Sequence, residues 1–258
     1  MKKSLLLFIL IQIFLANKSD SQTVSLKKTW ISAKLEYLKF SDTIALFEYV
    51  HNTREYHYKK KGKILILTEY YFTNKNKLRH ENEFSFEITK LTADTLIIIP
   101  FSQSSKRLVS GKEFLLFVDS LKVNDTKFIF EKIFFSSSRC MGTCPKMKIE
   151  INATGKVFFL GEYNTETYKG LYKGQLKPGD LKKLKSILQH SWLDNFPEDL
   201  GSALDVPSYH FIFYYNGRKK VSGGYSVPYF NRELLSFLLN IYKKADLIKY
   251  SFTYNFEK

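Results

Sequence analysis

The sequence predicts an α+β chain: a small all-β barrel or sandwich on the N-terminal side, followed by an antiparallel sheet packed with two helices. Three observations predict it. From Trp30 to Ser120 the residues alternate with period two in short β-branched and aromatic runs, the pattern of half-buried strands. Further on, two apolar stripes recur at three- and four-residue steps, Leu181-Leu184-Ile187-Leu188-Trp192 and Leu234-Leu238-Ile241-Ala245, which is the spacing of one helix face. Between them Asn216-Gly217 joins two alternating runs, a hairpin signal because both residues tolerate positive φ.

The first element is not part of the fold. Lys2 and Lys3 precede an uncharged stretch from Ser4 to Ala16 and then polar Asn17 to Asp20, the order of regions in a secretory signal. A signal over residues 1–21 is expected, with small Ser19 and Ser21 before the cut. The apolar stretch is short of the roughly 20 residues that span a bilayer as a helix, so no stable membrane anchor is expected. No cysteine precedes Cys140, which removes lipid attachment through a thiol near the cut. The expected locations are the periplasm, the cell envelope or the extracellular space.

Residues 22–126 are expected to be all β. Strands are read over Trp30–Phe40, Ile44–Val50, Glu55–Tyr58, Lys63–Thr68, Glu83–Lys90, Thr95–Phe101 and Lys112–Ser120, with no helix required. Closing or covering such a sheet removes its exposed edges. The order Thr29-Trp30, then Lys63-Ile64-Leu65-Ile66-Leu67, then Phe86 to Thr92 with Leu96-Ile97-Ile98-Ile99 resembles the small lipocalin-like domains of exported Bacteroidota proteins. That resemblance covers residues 27–120, and it implies an apolar ligand held in a barrel interior.

In residues 127–258 strands are expected over Lys127–Ser136, Lys146–Asn152, Lys156–Tyr163 and Thr167–Leu176. A helix follows from Pro178, whose missing N–H costs nothing in a first turn. Pro197 and Gly201 mark a break before the hairpin Ser208–Tyr215 and Arg218–Ser222, and a last helix runs from Phe230 to Ala245. The boundary near residue 126 rests on this change of pattern, since neither an internal repeat nor a low-complexity linker separates the halves.

The most specific motif is Cys140-Met141-Gly142-Thr143-Cys144-Pro145, followed by a strand, the Ala153-Thr154-Gly155 turn and a second strand. With the Leu181–Leu188 helix, Trp192 to Phe196, Asp205-Val206-Pro207 and the Leu234–Ile241 helix, it resembles the family known as domain of unknown function 6438, over residues 127–248. Met141 stands where that pattern leads one to expect an aromatic residue. The resemblance implies no established activity.

The cysteines are therefore read physically. Two cysteines in an exported chain, four residues apart, most simply form a disulfide. Gly142 offers the freedom for the chain to turn back, and Pro145 can end the turn before the next strand. A redox pair is an alternative, although such pairs usually have two intervening residues and open a helix. A soft-metal site is another, because Cys-x-x-x-Cys-Pro with a distant His also resembles exported copper chaperones, and thiolates favour Cu(I). His190 and His210 would then be the candidate third ligands.

Other chemistries find little footing. The formal charge of +15 invites a nucleic-acid reading, but the expected export and the scattering of lysines, as at Lys59 to Lys63 and Arg218 to Lys220, oppose it. Attraction to anionic lipid or acidic polysaccharide would be non-specific. His80-Glu81-Asn82-Glu83-Phe84 lacks the second imidazole of a zinc hydrolase, and Gly111-Lys112-Glu113 lacks the residues of a phosphate-cradling loop. Gly224-Tyr225-Ser226-Val227-Pro228 is not a nucleophile elbow. His51 and His57 lack a ligand frame, and Asp205 with Pro207 reads as turn chemistry. No catalytic residue, cofactor or metal site is predicted. The expectation is a non-catalytic envelope protein that binds a small apolar ligand or a partner, with a thiol redox or copper-handling role for Cys140 and Cys144 as the alternative.

Overall fold

The structure is a computed structural model and describes residues 24–49, 52–73 and 78–257. The expected secretory signal and His51 lie outside the described residues.

The first half is a closed eight-stranded antiparallel barrel in meander order. Its strands are β1 (Thr29–Ile31), β2 (Tyr37–Phe40), β3 (Ile44–Tyr49), β4 (Asn52–Lys61), β5 (Ile64–Phe72), β6 (Arg79–Leu91), β7 (Thr95–Pro100) and β8 (Leu115–Asp119). Closure comes from β1 pairing with β8, Trp30 opposite Asp119. The period-two rows of the sequence account for the inside: Leu65 and Leu67, Leu96 and Ile98, Leu115 and Phe117 are buried while the residue between each pair is not. Eight strands leave an interior just wide enough for side chains. Here Trp30, Phe47, Tyr56, Phe86 and Phe117, each no more than 2% exposed, fill it. The barrel interior is thus a packed core.

Two local expectations are corrected in this half. The stretch Trp30–Phe40 is two strands, because the Ser32 hydroxyl accepts from the backbone N–H groups of Lys34 and Glu36 at 3.2 and 3.1 Å and Leu35 takes φ 60°. That is a tight turn in which a side chain captures the backbone. A short helix, α1 (Gln103–Leu108), also stands where none was expected. Ser102 caps it, its hydroxyl accepting from the Ser105 N–H at 3.1 Å.

The second half is one eight-stranded sheet in the order β13-β15-β14-β9-β10-β11-β12-β16. Its strands are β9 (Phe130–Ser137), β10 (Lys146–Asn152), β11 (Lys156–Tyr163), β12 (Gly170–Leu176), β13 (Asp199–Leu200), β14 (Tyr209–Tyr215), β15 (Arg218–Gly224) and β16 (Ala245–Lys249). All pairings are antiparallel except the two-residue β13–β15 contact. The Asn216-Gly217 turn has φ of 51° and 69°, as the hairpin requires. Two helices, α2 (Pro178–Gln189) and α3 (Arg232–Leu239), pack Leu184, Leu188, Leu234 and Leu238 against one face.

The last helix is shorter than its apolar stripe suggested. It ends at Asn240, a single turn of 3-10 helix follows over Ile241–Lys243, and Ala245 opens the edge strand β16. The β12 register explains this: the Lys177 N–H donates to Lys244 O, and Leu176 faces Ala245. Trp192 likewise lies beyond α2, in a left-handed conformation with φ 48°.

The halves share a core. Ile31, Leu35 and Tyr37 of the barrel belong to the same buried cluster as the inner face of the second sheet and its helices.

Candidate functional site

The family-like motif lies at one end of the second sheet. Cys140 and Cys144 are joined as a disulfide, with Cα atoms 5.6 Å apart, in the loop between β9 and β10. The Ser137 hydroxyl at the end of β9 donates to Pro145 O at 2.6 Å, so the ring is closed on itself just before β10 begins. Gly142 does not use a left-handed conformation, and a Cβ there would meet only the Cys140 sulfur at an ordinary 3.7 Å. The turn is made by the chain as a whole, not by special freedom at that glycine.

Asp205 and Pro207 come to the same end. The Ser138 N–H donates to Ser208 O at 2.9 Å and the Ser208 N–H donates to Ser138 Oγ at 2.8 Å. Those two bonds clamp the loop carrying Asp205-Val206-Pro207 beside the loop carrying the disulfide. Asp205 is exposed and has φ 62°, which fits turn chemistry. Met141 and Leu204 are the two most exposed apolar residues of this end, at 82% and 91%.

The described histidines do not gather there as a ligand set. His190 closes α2 with Nδ1 2.7 Å from Ser186 O. His210 sits on the outer face of β14, its ring against Phe134, and burial, assisted by the charge of Lys219, lowers its pKa. His57 packs on Tyr70 and His80 on Tyr71. Among the described residues no group of three or more His, Cys, Asp or Glu could hold a metal ion.

A cleft of about 480 Å³ opens instead where the barrel meets the second half, within the roughly 300–1,000 Å³ of small-molecule sites. Its floor is polar. Glu36 accepts from the Ser32 hydroxyl at 2.8 Å and from Lys112 Nζ at 2.7 Å, and the Lys112 ammonium lies 4.9 Å from the centre of the Tyr49 ring. The Tyr49 hydroxyl is tied to Val109 O at 2.8 Å, which fixes the ring. Burial alone would lower the Lys112 pKa, but the bonds and charges of Glu36 and Tyr49 outweigh it and the net shift is upward.

Glu48 is the second carboxylate of the cleft and is only 4% exposed. It points out of the barrel wall on β3, between inward-facing Phe47 and Tyr49, and accepts the Tyr229 N–H at 2.8 Å from the opposite half. Burial raises its pKa above the ordinary carboxylate value, against the pull of that N–H and of Arg232. The far wall comprises Asn195, Pro197 and Pro228, and Asn195 Nδ2 donates to Ala33 O at 2.7 Å across the junction. Ten residues from five separate segments converge here, and no single motif joins them. In the sequence Lys112 opens the expected strand Lys112–Ser120 and sits in a failed phosphate loop.

Comparison with family models matches residues 131–243 to one described as Domain of unknown function (DUF6438). No curated protein and no solved structure matches the chain. The match begins in β9 and ends in the turn before β16, taking in the cysteine ring, the Ser138–Ser208 clamp and both helices. Over residues 131–243 the chain is thus similar to the DUF6438 family.

Proposed function

We propose that the chain is an exported, non-catalytic binding protein of the cell envelope, which holds a small amphipathic molecule in the cleft between its two halves. The observation that carries this reading is Glu48, a buried carboxylate facing a cleft that sets Ala33, Leu35, Tyr49, Pro197 and Pro228 beside the charged Glu36–Lys112 pair. Sites of this kind place a few polar groups among apolar walls at the meeting of two units. The packed barrel interior moves the expected ligand from the barrel axis to this junction. Leu35, Pro197 and Pro228 would take the apolar body, while Glu48 and the Glu36–Lys112 pair would take a polar end that donates hydrogen bonds.

The test uses an apolar fluorescent probe, anilinonaphthalene sulfonate, titrated into the full chain and displaced by a panel of long-chain amines and alcohols. One saturable site is expected, lost in A33W, which fills the rim from an exposed position. Absence of saturable binding by every probe, or binding unchanged in A33W, overturns the reading.

The rival reading makes Cys140 and Cys144 a thiol redox or copper-delivery pair. Its support is the exposure of residues 141–143 inside the ring, which leaves the disulfide accessible to a reductant. Thiol titration after mild reduction separates the two: rapid reduction of the native chain and retained stoichiometric copper would favour the pair.

A further inference from the structure

The outer face of the second sheet, opposite the helices, carries apolar residues that a solvent-facing row would not. Phe134 is 3% exposed and Ile212 is fully buried, yet both point away from the inner core. Over Phe134 lies Phe256, of the segment that follows β16. After β16 the backbone leaves the sheet edge and residues 250–257 cross the outer face. Beyond the Tyr250 N–H, which donates to Leu171 O at 2.9 Å, no backbone-to-backbone hydrogen bond of residues 251–257 is found among the described residues.

The crossing is held by side chains in an alternating pattern. Tyr250 packs edge-on against Phe158 and lies 5.0 Å from Lys173 Nζ. Tyr254 stacks on Phe158 with ring centres 3.7 Å apart and donates its hydroxyl to Glu150 at 2.7 Å. Phe256 rests against Phe134. The segment ends in a carboxylate clasp: Glu257 accepts from Lys132 Nζ at 2.6 Å, from Lys219 Nζ at 3.2 Å and from the Tyr214 hydroxyl. The Lys132 ammonium also lies 4.6 Å from the Tyr214 ring centre, so the clasp is assembled by β9, β14 and β15 and does not depend on the tail for its parts.

We infer that this face is a docking site for an extended, acidic-aromatic segment of another protein, and that the chain's own tail is its resident competitor. Charge argues for the sign of the partner: Lys132, Lys146, Lys148, Lys156, Lys173 and Lys219 face outward here against Glu150, Glu162 and Asp246. The tail supplies the pattern. Its Tyr254-x-Phe256-Glu257 places two aromatic rings on Phe158 and Phe134 and then a carboxylate between two ammonium groups. Any extended chain with that order makes the same contacts, because none of them uses the tail's backbone. A covalently attached competitor acts at an effective concentration in the millimolar range, so a partner would displace it only when it binds more tightly or when the tail is weakened. This site is separate from the cleft, and its failure would leave the reading of the cleft untouched.

The experiment uses the full chain and a fluorescein-labelled peptide spanning residues 249–258, followed by anisotropy at low salt. F256A/E257Q alters only the tail and leaves every residue of the face in place. We expect that variant to bind the peptide at least about tenfold more tightly than the unaltered chain, with the gain lost in a peptide carrying Glu257→Gln and lost again when Lys132→Ala is added to the chain. A chain ending at Tyr250 is measured beside it, so that incomplete release of the tail is not mistaken for a missing site. Absence of saturable binding by F256A/E257Q and by whichever variant keeps one cooperative unfolding transition overturns the proposal. Equal binding by the unaltered chain does so too. A tail-dependent dimer in sedimentation would overturn it in favour of a second copy as the occupant.

Discussion

A five-residue disulfide ring constrains little of the unfolded chain, and the loop-entropy relation gives about 2 kcal/mol for it. The Cys140–Cys144 bond is therefore a local staple on a loop already fixed by Ser137 at Pro145 and Ser138 at Ser208. C140S/C144S should fold, with its urea midpoint lowered by an amount equivalent to about 2 kcal/mol or less. Loss of the folded state in that variant would show that the ring organises far more than its own loop. The two titrating carboxylates behave oppositely. Burial raises the folded pKa of Glu48 above its ordinary 4.5; the stabilising share of this group is complete below that value and is lost as pH rises through the folded pKa. E48Q keeps an acceptor for the Tyr229 N–H, so its stability relative to the unaltered chain should grow as pH rises from about 4 to about 8. For Glu257 the bonds from Lys132 and Tyr214, with help from Lys219 and against a small burial effect, lower the folded pKa from 4.5 to about 2. Its contribution is present above 4.5 and is lost as pH falls toward 2. E257Q should flatten the stability profile in that acid window by lowering stability at neutral pH while leaving pH 2 little changed, and equilibrium denaturation between pH 2 and 8 reads both slopes.

Strands were the most legible elements, because period two survives in any sequence whose sheet buries one face. β10 and β11 stand where the alternation put them, Lys146–Asn152 and Lys156–Tyr163. Elements defined by a side chain capturing backbone were not legible. The Ser32 turn interrupts a run that alternates as if it were one strand, and the Ser102 cap starts a helix from residues that read as a polar loop. The Leu234–Ala245 stripe misled for another reason: a 3-10 turn and an edge strand continued the apolar spacing past the end of α3. Glycine at 161 is a further element-level constraint without a sequence signal. A Cβ there would run into Tyr168 O and the Thr165 hydroxyl, which close over β11. Since the obstacle is backbone, G161A should destabilise by about 1–3 kcal/mol, more than a β-propensity change would bring. On α2, L184A removes a fully buried side chain and should cost about 2–5 kcal/mol. Thermal unfolding of both variants checks the ranking.

At the scale of the molecule, the cleft was invisible in the sequence because its members are far apart along the chain. Glu36, Glu48 and Lys112 belong to the barrel, Asn195 and Pro228 to loops of the second half, and only the docking of the halves brings them together. The barrel ends with β8 at Asp119 and the open sheet begins with β9 at Phe130. It does not follow that the halves are energetically independent. Tyr37 faces out of the barrel wall and is only 8% exposed, with its ring 4.9 Å from that of Tyr229. Leu35 and Ile31 bury themselves in the core of the second sheet, and Glu48 takes its hydrogen bond from Tyr229. A chain cut at the boundary would expose these groups together, and with Glu48 would leave a carboxylate beside apolar surface that evolved no water around it. The full chain should thus unfold in a single calorimetric transition whose van't Hoff and calorimetric enthalpies agree. Weakening the junction alone should separate the halves: Y37S, which leaves the barrel interior intact, should resolve two transitions, with the cleft lost in the first. A single unbroken transition in Y37S would mean that the shared core, and not the tyrosine pair, carries the coupling. Two transitions in the unaltered chain would mean that the halves meet without cooperating, and the cleft would then open and close as a hinge instead of standing as a fixed site.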